Sequence, residues 1–246
     1  MVKNFKLIIE YDGGAYHGWQ RQKNERTIQA DIEQALGAMT GQAPKLIGSG
    51  RTDAGVHALG QAAHFRCDTD LTADVFLRGL NSLLSDDIVI HSCRRVDDGF
   101  HARYDAKSKL YQYRILNRDR PKAVGRQYVW FIRQALDCRV MRACLAHLIG
   151  RHDFKTFQGS GSPRSSTIRT IMRADLSESE QGALVIDLEA DGFLKYMVRS
   201  IVGTVVEAGR GKITPLEFKS ILASGDRSRA GATAPAKGLF LVAVTY

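Results

Sequence analysis

What this chain lacks narrows its chemistry before any motif is read. It has only four cysteines, Cys67, Cys93, Cys138 and Cys144, and no C-x-x-C pair. Without chelating spacing they read as free, mostly buried thiols of a reducing compartment, and no metal is expected. Its seven histidines form no H-E-x-x-H, and no H-x-E is joined to a P-C-x-x-C, so the signatures of zinc hydrolases and zinc deaminases are missing. Nucleotide fingerprints are missing too. GSGRTDAG (48–55) is not G-x-G-x-x-G, and GVHALGQA (55–62) has Walker spacing but puts Gln61 and Ala62 where Lys and Ser/Thr must hold phosphate and magnesium. Nothing here argues for ATP, GTP or NAD.

Long apolar runs are absent as well. No stretch approaches the eighteen or so residues of a spanning helix, and MVKNFKLIIEYDGG is too short and too charged for a signal peptide. The expectation is a cytoplasmic chain with no membrane partner. What remains is ordinary: 44% hydrophobic and 25% charged residues over 246 positions, a globular chain of one large domain or two smaller ones. Against that background the charge is informative. With 35 Lys+Arg and 26 Asp+Glu the formal net charge is +9, which suits a polyanionic partner, nucleic acid before membrane.

Periodicity predicts strand 5–11 ending at the Asp12-Gly13-Gly14 turn, then a helix capped by Thr27 with Ile28, Ile32, Leu36 and Met39 on one face. A short strand 45–48, strand 61–67, helix 73–84 and strand 88–96 follow. The order is β-α-β-β-α-β, the split pattern of ferredoxin-like units. The second half repeats the order with additions: strands 109–116 and 128–132, helix 138–149, strands 168–176 and 184–190, helix 193–208, helix 216–223 and a final strand. Thr214, Pro215 and Glu217 specify the start of helix 216–223 as cap, first helical residue and third. The expectation is an α+β chain of two halves with antiparallel sheets, 1–104 and 105–246, joined near 99–106. Residues 158–169, QGSGSPRSSTIR, read equally as a flap meeting phosphates through Arg164 and Arg169 or as a solvated connection.

One acid stands out. In GSGRTDAGVHALGQAAHF (48–65) Asp53 is the only carboxylate, with Arg51 two residues upstream and glycines on both sides. An isolated Asp in such a turn usually bonds nearby backbone. Arg51, however, can keep it ionised, as a nucleophile or anionic stabiliser requires, and Gly50 and Gly55 can admit a close nucleotide. In KSKLYQYRIL the strand period puts Lys109, Tyr111, Tyr113 and Ile115 on one face, either core or a stacking platform beside phosphate contacts. Helix 193–208 carries Lys195 and Arg199 one turn apart. Either they belong to a polar stripe with Glu207, or Arg199 points inward and needs an anion.

Together these blocks resemble the TruA family of tRNA pseudouridine synthases almost end to end. The resemblance lies in YDGGAYHGWQRQ, GSGRTDAGVHALGQ, KLYQYRI, FLKYMVRSIVGTVVEAGRG and APAKGLFLVAVTY, with R-T-D-A-G-V-H-A the most specific core. It implies the pseudouridine synthase fold with an active-site cleft between two ferredoxin-like halves, a homodimer, no metal or cofactor, and isomerisation of uridines 38, 39 and 40 in the tRNA anticodon stem-loop. It also implies Asp53 as nucleophile, Tyr111 as the residue that stacks on the base, and Arg199 as ion-pair partner of Asp53. Arg21, Arg51, Lys109, Arg164 and Arg169 are candidates for contacting the RNA, and His57 for ordering the loop. Two rivals stand beside this reading: a tandem RRM-like RNA-binding protein, although no RNP1 string is present, and a cofactor-free glycosidase or nucleoside hydrolase.

Overall fold

The computed structural model describes residues 2–161 and 166–246. Loop 158–169 therefore lies partly outside the described residues, and Arg164 wholly so. The chain is a mixed α/β fold, with five α-helices and mostly antiparallel strands among the described residues. It divides into two compact units: one runs to Lys107 and takes back Phe240–Tyr246, and the other is Ser108–Leu239.

The first unit contains β1 (Val2–Tyr11), α1 (Ile28–Thr40), β2 (Ile47–Gly48), β3 (His57–Asp68), α2 (Ala73–Leu83), β4 (Ile88–Val96) and β10 (Leu239–Thr245). Along β1 the residues Phe5, Leu7, Ile9 and Tyr11 are buried, the period-2 face of a strand covered on one side. Phe5 lies 5.3 Å from the Phe65 ring of β3 and 5.0 Å from the Phe76 ring of α2, which ties helix to sheet. Thr27 caps α1 by accepting from the Ala30 N–H, as its position in the sequence suggested. β3 starts at His57, four residues earlier than the predicted 61. Its first residues pair with β10 in parallel (Phe240↔His57, Leu241↔Ala58), a partner that local pattern does not announce.

Further along β3, His64 is buried and its Nδ1 accepts from the Ala102 N–H at 3.1 Å. Burial pushes its pKa down to about 4, assisted by nearby His101 and Arg66. The folded value lies below the unfolded 6.5, so the unfolded chain binds the proton more readily. Stability is therefore expected to fall as pH drops from about 6.5 to about 4. In His64→Gln, urea unfolding between those pH values should show this acid loss reduced by about 1–3 kcal/mol. Identical pH dependence in the two proteins would remove His64 as its source.

The second unit contains β5 (Ser108–Asn117), β6 (Trp130–Ile132), α3 (Cys138–Ala146), β7 (Gly150–Asp153), β8 (Ile168–Glu178), β9 (Ala183–Ala190), α4 (Met197–Gly209) and α5 (Pro215–Ala223). β5, β9, β8 and β7 pair antiparallel in that order, and β6 runs parallel to β5. α5 starts on the full capping box of Thr214 and Glu217 with Pro215 in its first turn.

Two predicted helices are shorter than expected, and one strand carries no signal in the sequence. Helix 193–208 begins only at Met197, because Tyr196 sits at φ +61° and residues 193–196 are not helical. Helix 138–149 ends at Ala146, since the N–H groups of His147 and Leu148 bond three residues back, to Cys144 and Leu145. β7, in the sequence GRHD, has no alternation by which it could have been read. α4 is buried on nearly every side, which explains its unusually apolar composition.

Candidate active site

The loop that carries Asp53 is clamped from one side by the end of β1 and the turns after it. The Trp19 N–H donates to the Thr52 carbonyl at 3.1 Å, and the Gly55 N–H donates to the Tyr16 carbonyl at 3.3 Å. Tyr11 and Thr52 share a buried hydroxyl hydrogen bond of 2.7 Å. Burial raises the Tyr11 pKa well above the usual phenol range, with burial outweighing the opposing bonds to Thr52 and Gln61, so this hydroxyl stays protonated. From the other side Gln61 donates to the Gly50 carbonyl at 3.1 Å and accepts from the Ser49 hydroxyl at 2.7 Å. Thr52 and Ser49 are thereby buried, while Arg51 points out and Asp53 is half-buried.

Asp53 closes its own turn: the Val56 N–H donates to the Asp53 carbonyl at 3.1 Å, and Gly55 supplies the left-handed residue at φ +75°. Immediately after it, the buried His57 ring stacks on Phe240 at 4.8 Å. Its Nδ1 lies 3.1 Å from the Gly13 N and 2.9 Å from Asp12 Oδ1. One nitrogen cannot serve both at once: bare, it accepts from Gly13, and protonated, it donates to Asp12. Either way His57 ties the start of β3 to the Asp12-Gly13 turn. Gly13 lacks a Cβ for a stated reason, since one would lie 1.9 Å from the Val56 carbonyl oxygen.

In the second unit, Tyr111 on β5 is 7% exposed and meets the Phe193 ring edge-on at 5.1 Å. Lys109 shares its strand face and is half-buried. Arg199 lies in the first turn of α4, half-buried. Its Nε donates to the Ala234 carbonyl at 2.8 Å, and the Ala234 N–H returns a bond to the Arg199 carbonyl at 3.0 Å. The guanidinium carbon stands 5.1 Å from the Tyr196 ring, an additional hold on its plane. The other members of the predicted stripe go elsewhere: Lys195 donates to the Ser160 carbonyl, and Glu207 pairs with Arg210 and Lys212.

The remaining candidates are dispersed. Arg21 pairs with Glu33 at 3.2 Å, two residues beyond the clamp residue Trp19. Arg169 turns its Nη1 back to the carbonyls of Ser166 and Ile168. Sequence reasoning missed Ala234 and Pro235, whose consecutive carbonyls hold Arg199 Nε and the Tyr113 hydroxyl, the latter at 2.7 Å. Their signal was the APAKG string before the last strand, where Gly238 packs so tightly that a Cβ would lie 2.8 Å from the Tyr113 ring. Among the described residues no three His, Cys, Asp or Glu side chains gather as a metal ion would need.

Comparison with known proteins points the same way. The family described as tRNA pseudouridine synthase matches residues 7–105 and 144–246. The chain is similar to the tRNA pseudouridine synthase A of Acetivibrio thermocellus, 47% identical over 245 residues, and to that of Thermoanaerobacter sp., 46% identical. It is also similar to that of Clostridium acetobutylicum, at 45%, and all three alignments cover 100% of both chains. With the RTDAG loop, the strand tyrosine and the helix arginine all present in one chain aligned end to end with these relatives, the protein belongs to the TruA family of tRNA pseudouridine synthases.

Proposed function

We propose that this chain isomerises uridine to pseudouridine at positions 38, 39 and 40 of the tRNA anticodon stem-loop, with Asp53 as the nucleophile. The observation that carries the proposal is the Asp53 loop itself. Its backbone is fastened on both flanks by Tyr11, Tyr16, Trp19 and Gln61, so that one half-buried carboxylate is presented on a rigid support. The reaction breaks the N1–C1′ bond, rotates the uracil and joins C5 to C1′, releasing the C5 hydrogen as a proton. It has no net redox change and consumes no second substrate. An anion beside C1′ and C6 is its main requirement, and attack on the sugar, a glycal route and addition at C6 all use Asp53.

A uridine in a stem must leave its stack, at a cost of a few kcal/mol. Tyr111, set edge-on by Phe193, offers a ring for the extruded base, and stacking of this kind returns about 1–3 kcal/mol. Arg199, held by Ala234, supplies the cation that keeps Asp53 ionised in this reading. Arg51, Arg21, Lys109, Arg164 and Arg169 are the candidates for contacting the RNA. The first unit's strand order β4-β1-β3-β2 supports the reading of that half as ferredoxin-like. In this reading the active protein is a homodimer working in the cytoplasm.

The test is tritium release from a tRNA transcript labelled at uracil C5, with transcripts bearing uridine only at 38, 39 or 40 as substrates. Release from each, with the RNA mass unchanged, is the expected result. Release only from uridines elsewhere would reject the site assignment, and free uracil among the products would favour a hydrolase. Tyr111→Phe should bind tRNA nearly as wild type, whereas Tyr111→Ala should bind about 5- to 150-fold more weakly, the equivalent of about 1–3 kcal/mol. Equal affinities for both variants in filter binding would reject the stacking role.

A further inference from the structure

We propose that a groove on the second unit seats one further nucleotide of the bound RNA, distinct from the reacting uridine. The groove has a volume of about 490 Å³ and shares no residue with the proposed catalytic set. A ligand pocket of this size class holds a nucleotide. Its floor is apolar. Leu116 and Phe131 are register partners on the parallel strands β5 and β6, and Val129 leads into β6 beside them. Its rim is cationic: Lys122, Arg126 and Lys237 line it, and no carboxylate does.

The chain around the groove is shaped to present these cations. Arg118 folds back to bond the carbonyls of Arg120 and Pro121, which fixes the turn before Lys122. Gly125 at φ +72° then turns the chain into the short helical turn that starts at Arg126. Lys237 arrives from the 236–238 turn, directly after the Pro235 carbonyl that holds Tyr113. The nearest acid in sequence, Asp119, is already paired with Arg133 at 3.0 Å, so it does not offset the rim. An apolar floor for a base beneath three cations for phosphates is the chemistry of a nucleotide within a polyanion.

This inference rests on the tRNA reading above, and the experiment separates the two. Wild type and the triple variant Lys122→Ala, Arg126→Ala, Lys237→Ala would be compared for tRNA affinity across salt, tRNA turnover and thermal midpoint. A control triple, Arg139→Ala, Lys155→Ala, Lys219→Ala, removes equal charge from exposed positions elsewhere on the unit. The groove variant should keep its thermal midpoint and its kcat at saturating tRNA. Its affinity should fall about 10-fold or more, and the slope of log affinity against log salt should flatten by about 2, at roughly 0.7–0.9 for each phosphate no longer neutralised. The control should move the slope by less than half as much.

Ala123→Glu, which places a carboxylate in the groove without altering its floor, should weaken binding while Ala123→Gln does not. Slopes equal in groove variant and control, with both enzymes active, would overturn the groove and leave the tRNA reading intact. Wild type that neither binds nor isomerises tRNA would instead remove that reading first. Protection of wild type by millimolar AMP or UMP with no change in tRNA slope would assign the groove to a free nucleotide and reject RNA. A change in sedimentation with an unchanged slope would assign it to a subunit contact and likewise reject the proposal.

Discussion

Asp53→Asn is expected to lower turnover of unmodified tRNA by about 10⁴-fold or more while tRNA affinity stays within about threefold. Asparagine keeps the size of the side chain and leaves the backbone bonds of the loop in place, including the Val56 N–H to the carbonyl of residue 53. It removes the charge and the nucleophilic oxygen together. No other acid lies in residues 48–65 to take over, and Asp12, the acid nearest to the start of β3, is engaged at His57 and the Gly14 N–H. Tritium release at saturating tRNA, paired with filter binding, measures the two quantities separately. Turnover above about one per cent of wild type would take Asp53 out of the chemistry, and binding lost in parallel with turnover would reduce it to a loop residue.

The second large effect lies forty-four positions from the histidine it touches, at Gly13. A Cβ there would sit 1.9 Å from the Val56 carbonyl oxygen and 2.6 Å from its carbon. Both are backbone atoms, so no flexible side chain can move aside, and the strand beginning at His57 stands directly behind them. Gly13→Ala is therefore expected to destabilise the protein by about 3 kcal/mol or more, at the upper end of overpacking effects. Where the loop shifts instead, Asp53 moves with it, and a displacement of about 1 Å is expected to cost about 100-fold in kcat. Gly99→Ala is the control, since its Cβ would meet nothing within 4 Å, and it should change stability by less than about 1 kcal/mol. Urea unfolding and tritium release on both variants give the answer. A Gly13→Ala protein as stable and as active as wild type would refute the clamp.

Much of this protein was legible wherever the governing interaction is local. The start of α5 follows from Thr214, Pro215 and Glu217 because a capping box closes within four residues. α1 follows from Thr27 and a helical stripe, and β1 from its alternation up to a glycine turn. The acid loop was legible by its composition and by its likeness to one family's motif. Elements governed by distant partners were not. Tyr196 reads as part of the first turn of a helix, yet it takes the left-handed conformation, with its ring packed so close to Gly159 that a Cβ there would lie 2.4 Å away. The hold on Arg199 was equally hidden, because Ala234 acts through its backbone and leaves no side-chain signature.

By itself the sequence determined most of the element types, the cationic balance, the absence of nucleotide and zinc signatures, and the single carboxylate in the loop on which the proposed chemistry turns. Each of these is a property of residues within one turn or one strand, or of a simple sum over the chain. Tertiary structure alone decided that β10 returns to pair with the start of β3, and that Gly13, Tyr11 and Trp19 brace the loop around Asp53. It alone brought the carbonyls of Ala234 and Pro235 to Arg199 and Tyr113. The physical reason is the same in each case: backbone hydrogen bonds and close glycine contacts between segments far apart in the chain depend on where the backbone goes, and residue type records that path only where a side chain takes part.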